Sequence, residues 1–378
     1  MAQAYTPGLK VTGKTTIRKT RRLPLVGTVT VKVGDRVSAD QVVARTELPG
    51  KVFPVSLANQ LGVLPEEVPD IMRKKAGEHV TKDEVLAEKK AFFGFIKTDF
   101  KSPITGVVES ISKITGQVIL REPPIPVEVK AYIDGVVVEE IAHEGVVVEA
   151  EGALVQGIFG LAGEVHAPIM KLAKSPDEII DEDKIYDSLK GKVVIGGALL
   201  TRGALKRCAE VGVTAFVTGG FRYNDVKEVL GYDVGVAITG HEKLGTTLVV
   251  TEGFGKIAMA HATFELLCAH EGKIASLSGA TQIRAGVIRP EVIIPLGSDD
   301  TAKVVETSEA VDLGLDVGAP VRGIRAPYFG RIGKVTAMPH ELMKMPSETK
   351  VRVLEVEFED THERVLCPRA NVETIERR

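Results

Sequence analysis

Residues 34–44 read GDRVSADQVVA, and residues 77–87 read GEHVTKDEVLA. Both fit G-[DE]-x-V-x-x-[DE]-x-V-x-A, so the chain contains an internal repeat, and a repeat constrains architecture more than any single segment does. In each copy the glycine opens a turn, the valines face a core, and the acidic residues stay on the polar side before a strand begins. LPGKVFPV (48–55) follows the first copy, and KSPITGVVESI (101–111) follows the second. Pro and Gly ahead of alternating apolar residues mark a turn feeding a strand. Between the copies, SLANQLGVLPEEVPDIM (56–72) sets Leu57, Ala58, Leu61, Val63, Val68 and Ile71 at helical spacings. This predicts a helical insertion over 56–73, without the basic residues of a DNA-recognition helix.

The second copy, taken with SPITGVV (102–108), resembles the barrel-sandwich hybrid of lipoyl and biotinyl domains. In that family a G-D-x-V-x-x-G-x-x-L-A strand leads through a hairpin to S-P-x-x-G-x-V. The resemblance implies a β-barrel unit over 1–172. Carriers of the family present a lysine on a tight hairpin, flanked by Met or by Asp and Ala. Here AEKKAFFGFIKTDFKSP (87–103) has Lys89 and Lys90 near that place without those flanks, and adds Phe92, Phe93, Phe95 and Phe100. Covalent biotin or lipoate is therefore not expected, no other cofactor is predicted, and the aromatic loop is expected to pack against another part of the protein. The segments 124–141 and 144–160 alternate Val with polar residues and extend the β unit in antiparallel fashion. KSPDEIIDEDK (174–184) is acidic and reads as a linker.

From Lys190 the pattern changes. Short apolar runs ending in Gly (GKVVIGG, VTAFVTGG, DVGVAITG, GTTLVVTEGFG) alternate with helical segments such as TRGALKRCAEVG, whose Ala204, Leu205, Cys208 and Val211 share one face. This predicts a mainly parallel α/β domain over 185–300. In such sheets ligands bind outside the carboxyl ends of the strands. Gly196, Gly197, Gly219, Gly220, Gly240 and Gly253 lie there, with Arg284 nearby, and together suit a small anion. Short turns between strand and helix also require glycine. No GxGxxG, P-loop or Gly-x-Ser-x-Gly elbow is present. His241 and Glu252 are the catalytic candidates. His261, Cys268 and His270 lack the spacing of a helical zinc site, so they read as packing and capping residues, and no metal is expected.

Residues 315–378 resemble a KOW/SH3-like barrel, carried by Gly318, Pro320, Val321, Arg322, Pro327, Tyr328, Phe329, Gly330, Gly333 and Val335. Such barrels bind RNA or transcription and translation proteins, or serve as structural appendages. Arg322 and Arg331 beside Tyr328 suit stacking and phosphate contact, although Glu355, Glu357, Glu359 and Asp360 oppose it. The fold class that follows is multidomain α/β plus β.

Composition narrows the function classes. The 378 residues carry a net charge of −3, which excludes bulk attraction to polyanions. Residues 10–22 hold Lys10, Lys14, Arg18, Lys19, Arg21 and Arg22 without an acid, and read as a solvated segment ahead of a phosphate- or RNA-facing arm. Three scattered cysteines fit a reducing compartment. With no apolar leader at the N-terminus and no run long enough for a bilayer span, the expectation is a cytoplasmic protein. Its expected role is a non-catalytic scaffold or adaptor, homo-oligomeric or part of a larger assembly, with a possible small-anion site in the central domain. The alternatives are an enzyme or metabolite-binding protein using that domain, and RNA or transcription- and translation-complex binding through the tail.

Overall fold

The structure, a computed structural model, describes residues 9–91, 96–231, 240, 242–282, 288–297, 316–324, 327–339, 342–344 and 350–374. The chain is mostly strand, arranged in several sheets.

The repeat is reproduced bond for bond. The Gly34 N–H donates to the Val137 carbonyl at 2.8 Å, and the Gly77 N–H to Val108 at 2.7 Å. Strand Arg36–Val37 pairs with 135–136, as His79–Val80 pairs with 106–107. Side-chain oxygens close both turns: Asp134 accepts from the Ala39 N–H at 2.7 Å, and Thr105 from the Lys82 N–H at 2.9 Å. The partner of the first copy is therefore YIDGVV (132–137), the counterpart of PITGVV, and not the adjacent LPGKVFPV.

This pairing makes the two copies nested. Strand Val42–Leu48 forms a hairpin ladder with Ile125–Lys130, and Val85–Ala91 forms the same ladder with Ile96–Lys101. Between the strands of the inner ladder, Phe92, Phe93 and Phe95 of the expected aromatic loop lie outside the described residues. In the outer one, the whole inner copy lies between Leu48 and Ile125. LPGKVFPV belongs to the inner copy, where Val52–Ser56 pairs with Gln117–Arg121. Each copy has its own core. The inner one gathers Leu57, Leu61, Val68, Leu86, Val108 and Leu120, and thus uses the helical insertion, seen as Leu57–Leu61 and Val68–Ile71. The outer one gathers Val31, Val43, Ile133, Val137 and Val148.

Strand Gly145–Gln156 joins this region to the centre. It pairs with Val11–Arg22 along one edge, and along the other first with Gly135–Ile141 and then with Glu291–Pro295. Hydrogen bonding therefore crosses the boundary drawn at 172 without interruption. The sheet continues through Ile274–Ser278 to Glu164–Lys171, whose second half pairs in parallel with Val193–Ile195. Ala215–Phe221 and Thr247–Phe254 extend the parallel run, and Phe159–Leu161 closes it antiparallel. The parallel part is thus four strands within a mixed sheet. Helix Arg202–Val211 buries the face read from its spacing, Ala204, Leu205, Cys208 and Val211, and Thr201 caps it by accepting from the Ala204 N–H. The C-terminal residues form a five-stranded antiparallel sheet with a separate core around Val321, Val356 and Phe358.

Candidate functional site

The carboxyl ends of the parallel strands are the first place to look for a ligand. Gly196, Gly197, Gly219 and Gly220 are all buried there. A Cβ on Gly197 would sit 2.4 Å from the Glu178 carbonyl oxygen, and one on Gly219 would sit 2.3 Å from that of Ile257. On Gly220 it would lie 2.1 Å from the Gly255 oxygen, and on Gly196 it would meet the Phe216 ring at 2.4 Å. The neighbours are the protein's own backbone and a core ring. Segment 174–184, expected as a linker, instead lies against this edge, with Ile179–Ile180 paired to Leu199–Leu200 and Ile180 fully buried. Segment 255–260 crosses from the other side: Ile257 N–H donates to Ala198 O at 3.0 Å, and Met259 N–H to Pro176 O at 3.0 Å. Close chain crossings account for the absence of a Cβ at these four positions, and segments 174–184 and 255–260 run beside the strand ends where an anion was expected.

The remaining candidates fall in other places. Gly240 packs against Ala280 and the Ala162 carbonyl. His241 and Arg284 lie outside the described residues. Gly253 faces the C-terminal sheet, where its Cβ would lie 2.6 Å from the Gly330 oxygen. Glu252 accepts from the Ala260 N–H at 3.0 Å, directly ahead of helix His261–Ala269. Its carboxylate thus holds a helix start, the position favoured by the helix dipole.

Glu252 also borders a buried charge cluster between the central and C-terminal sheets. Arg322, expected to face a phosphate, is only 4% exposed. Its Nε donates to Glu373 at 2.7 Å, and its Nη1 donates to the Thr251 and Glu252 carbonyls at 3.2 and 2.5 Å. Arg289 approaches the same Glu373 carboxylate at 3.7 Å, and burial pulls its pKa down. Aromatic contacts flank the cluster, with Phe254 edge-on to Phe329 at 6.5 Å. Arg331 is likewise engaged: it holds Asp360 through two nitrogens and lies 4.1 Å over the Phe358 ring. Tyr328 stacks on that ring at 5.0 Å, and desolvation raises its pKa. Arg322 thus ties the tail to the centre, while Tyr328 and Arg331 are engaged within the tail.

The basic run at 10–22 is an edge strand facing acids. Lys14 pairs with Glu151, Arg18 with Glu149, Lys19 with Glu291, Arg21 with Glu164 and Arg22 with Glu144. A long edge strand studded with Lys and Arg also resists edge-to-edge aggregation. The sequence signal for this pairing was the acidic VEAEG (148–152) in the partner strand. A feature missed from sequence is Tyr132, buried at φ 72°, a backbone region that non-glycine residues rarely adopt. Its hydroxyl donates to Glu291 at 3.2 Å, and the Arg21 guanidinium lies 5.3 Å from its ring.

Lys89 donates to the Leu61 and Gly62 carbonyls at 2.8 Å each, ending helix Leu57–Leu61. Burial pushes the Cys208 thiol up to about 12 and those of Cys268 and Cys367 to about 11, which keeps all three protonated near neutrality. His270 Nδ1 lies 2.9 Å from the Leu266 carbonyl, and His261 pairs with Glu265 at 3.2 Å on the same helix. Among the described residues no group of His, Cys, Asp and Glu is placed to hold a metal, and no helix is long and apolar enough to cross a membrane. A comparison with protein families, curated proteins and solved structures found no match.

Proposed function

We propose that this protein is a non-catalytic scaffold or adaptor that presents the inner β copy to a larger assembly, formed with further copies of itself or with other proteins. The observation that carries this reading is the placement of the inner copy. It occupies the end of the outer hairpin, where a lipoyl-like carrier would display its modified lysine. In this reading both copies are barrel-sandwich hybrids whose carrier end has been given over to display, and the C-terminal sheet is an SH3-like barrel used as an appendage. The filled strand ends of the central sheet and the engaged Lys89 favour display over chemistry.

Light scattering on the full chain tests it, alongside a variant in which residues 50–123 are replaced by a short Asn-Gly turn. Assembly of the full chain and its loss in the variant, with the remaining sheets still folded by amide NMR, is the expected result. A monomer in both, together with a thermal shift on adding phosphate or nucleotides, would instead favour a ligand-binding central domain.

A further inference from the structure

We infer that the inner copy is a hinged arm, which rocks as a rigid body about the two-stranded neck formed by residues 45–54 and 121–130. This concerns the mechanics of the chain and holds whether or not the adaptor reading does.

Burial along the neck carries the inference. On the first strand, core side chains end at Ala44 and resume at Val55; between them only Gly50 is buried, and it has no side chain to pack. On the second they end at Leu120 and resume at Ala131. At the ends of this stretch Phe53 packs against the inner core and Val129 against the outer one; between them no side chain joins either core, and Val52 and Ile125 stand 46% and 48% exposed. A third strand flanks the ribbon at each end, through Thr28–Val29 on the outer side and Gly106–Ile111 on the inner side. Between them no third strand pairs with the ribbon among the described residues, although the Thr46 hydroxyl donates to the Val26 carbonyl at 2.9 Å near the outer end. A two-stranded ribbon without a packed face is marginally stable and bends easily, whereas the packed units at its ends move as wholes.

The structure also supplies a strut. Arg121 grips Glu109 of the inner copy through two nitrogens, at 2.7 and 3.1 Å, and its Nη1 donates to the Gly50 carbonyl at 3.0 Å. It thereby fastens the inner copy to the neck. Beside it a groove of about 450 Å³, lined by His79, Val107, Pro123 and Pro124 among others, separates the neck from the inner copy. Rocking toward that groove is the motion left open, and Arg121 sets the resting angle.

The test uses spin-label distances in the full chain. With Cys268→Ser as background, one label pair spans the neck at positions 32 and 113, and a control pair at 82 and 113 lies within the inner copy. Arg121→Ala and the milder Glu109→Gln are compared with the parent. The expected result is a cross-neck distribution broadened about twofold or moved to a new mean in both variants, with the control pair unchanged. A cross-neck distribution equal to the parent's in both variants overturns the hinge. Should Arg121→Ala broaden the control pair and so disturb the inner fold, Glu109→Gln alone decides.

Discussion

Two junctions in this molecule are built in opposite ways. At the neck, a bare ribbon joins the inner copy to the outer, braced by an ion pair whose side chains are about a third exposed (Arg121 35%, Glu109 39%). At the other, Arg322 and Glu373 pair with each other inside the C-terminal sheet, with side chains only 5% and 2% exposed, and meet the central sheet through the Thr251 and Glu252 carbonyls and through Arg289. Ions of the same chemistry do different work in the two places. In water an ion pair adds little and yields easily; out of water its geometry must be complete, because either charge left alone is costly. The first junction reads as a pivot and the second as a lock.

The contrast is easiest to break at the lock. Arg322→Ala leaves Glu373 buried opposite only the longer contact from Arg289, and a cost of about 3–5 kcal/mol is expected in denaturant unfolding of the central and C-terminal sheets. Arg322→Met and Glu373→Leu combined with Arg289→Met should recover much of that loss, since matched apolar groups can replace a buried set of charges. A single-variant cost near that of a surface pair would mean the junction is wetter than its geometry. Next comes Gly330→Ala. Gly330 sits at φ 75° and a Cβ there would approach the Phe254 ring to 2.5 Å, so about 2 kcal/mol is expected from strain and overpacking together. At the neck, Arg121→Ala should cost less than about 1 kcal/mol in the same assay while changing the arm's orientation. A larger stability cost there would make the neck a second lock.

How much of this could be read in the sequence depends on whether the deciding contact was local. The repeat was legible because its turn glycine, valine spacing and capping acid act within a dozen residues. Its nesting was not. Both 48–55 and 132–137 offer a turn followed by a strand, and the choice between them is made by pairing across the whole inner copy. The shared Ile-[Thr/Asp]-Gly-Val-Val of 104–108 and 133–137 was the available clue. The strand-end glycines were located, but their role was not legible, because a crossing backbone and a bound anion both require a missing Cβ. Arg322 resembled a surface cation because a short alternating strand does not reveal that its outer face is covered by a sheet from elsewhere in the chain.

The smallest predicted effect sharpens the contrast between arm and body at acid pH. In the inner copy Glu84 holds its turn by pairing with Lys74 at 2.7 Å and accepting from the Thr81 N–H at 2.9 Å. The Lys74 contact first, then the Thr81 N–H, holds its pKa down at about 2, against an ordinary 4.5. The same place in the outer copy is Gln41, whose amide oxygen accepts from the Ser38 N–H at 3.4 Å and does not titrate. A carboxylate with a lowered folded pKa stabilises the fold fully above its unfolded value and loses that contribution as pH falls toward the folded value. The loss of the Glu84 contribution therefore falls in the window from about 4.5 down to about 2 and in the inner copy, whereas in the outer copy the carboxylate held low is Asp40, by Lys130. Amide NMR signals from 77–91 and from 34–48, followed through an acid titration, report the two copies separately. Glu84→Gln should remove part of the acid response of the inner signals and leave the outer midpoint where it was. A joint shift of both sets would show that the neck transmits stability between the copies, and that arm and body unfold as one unit.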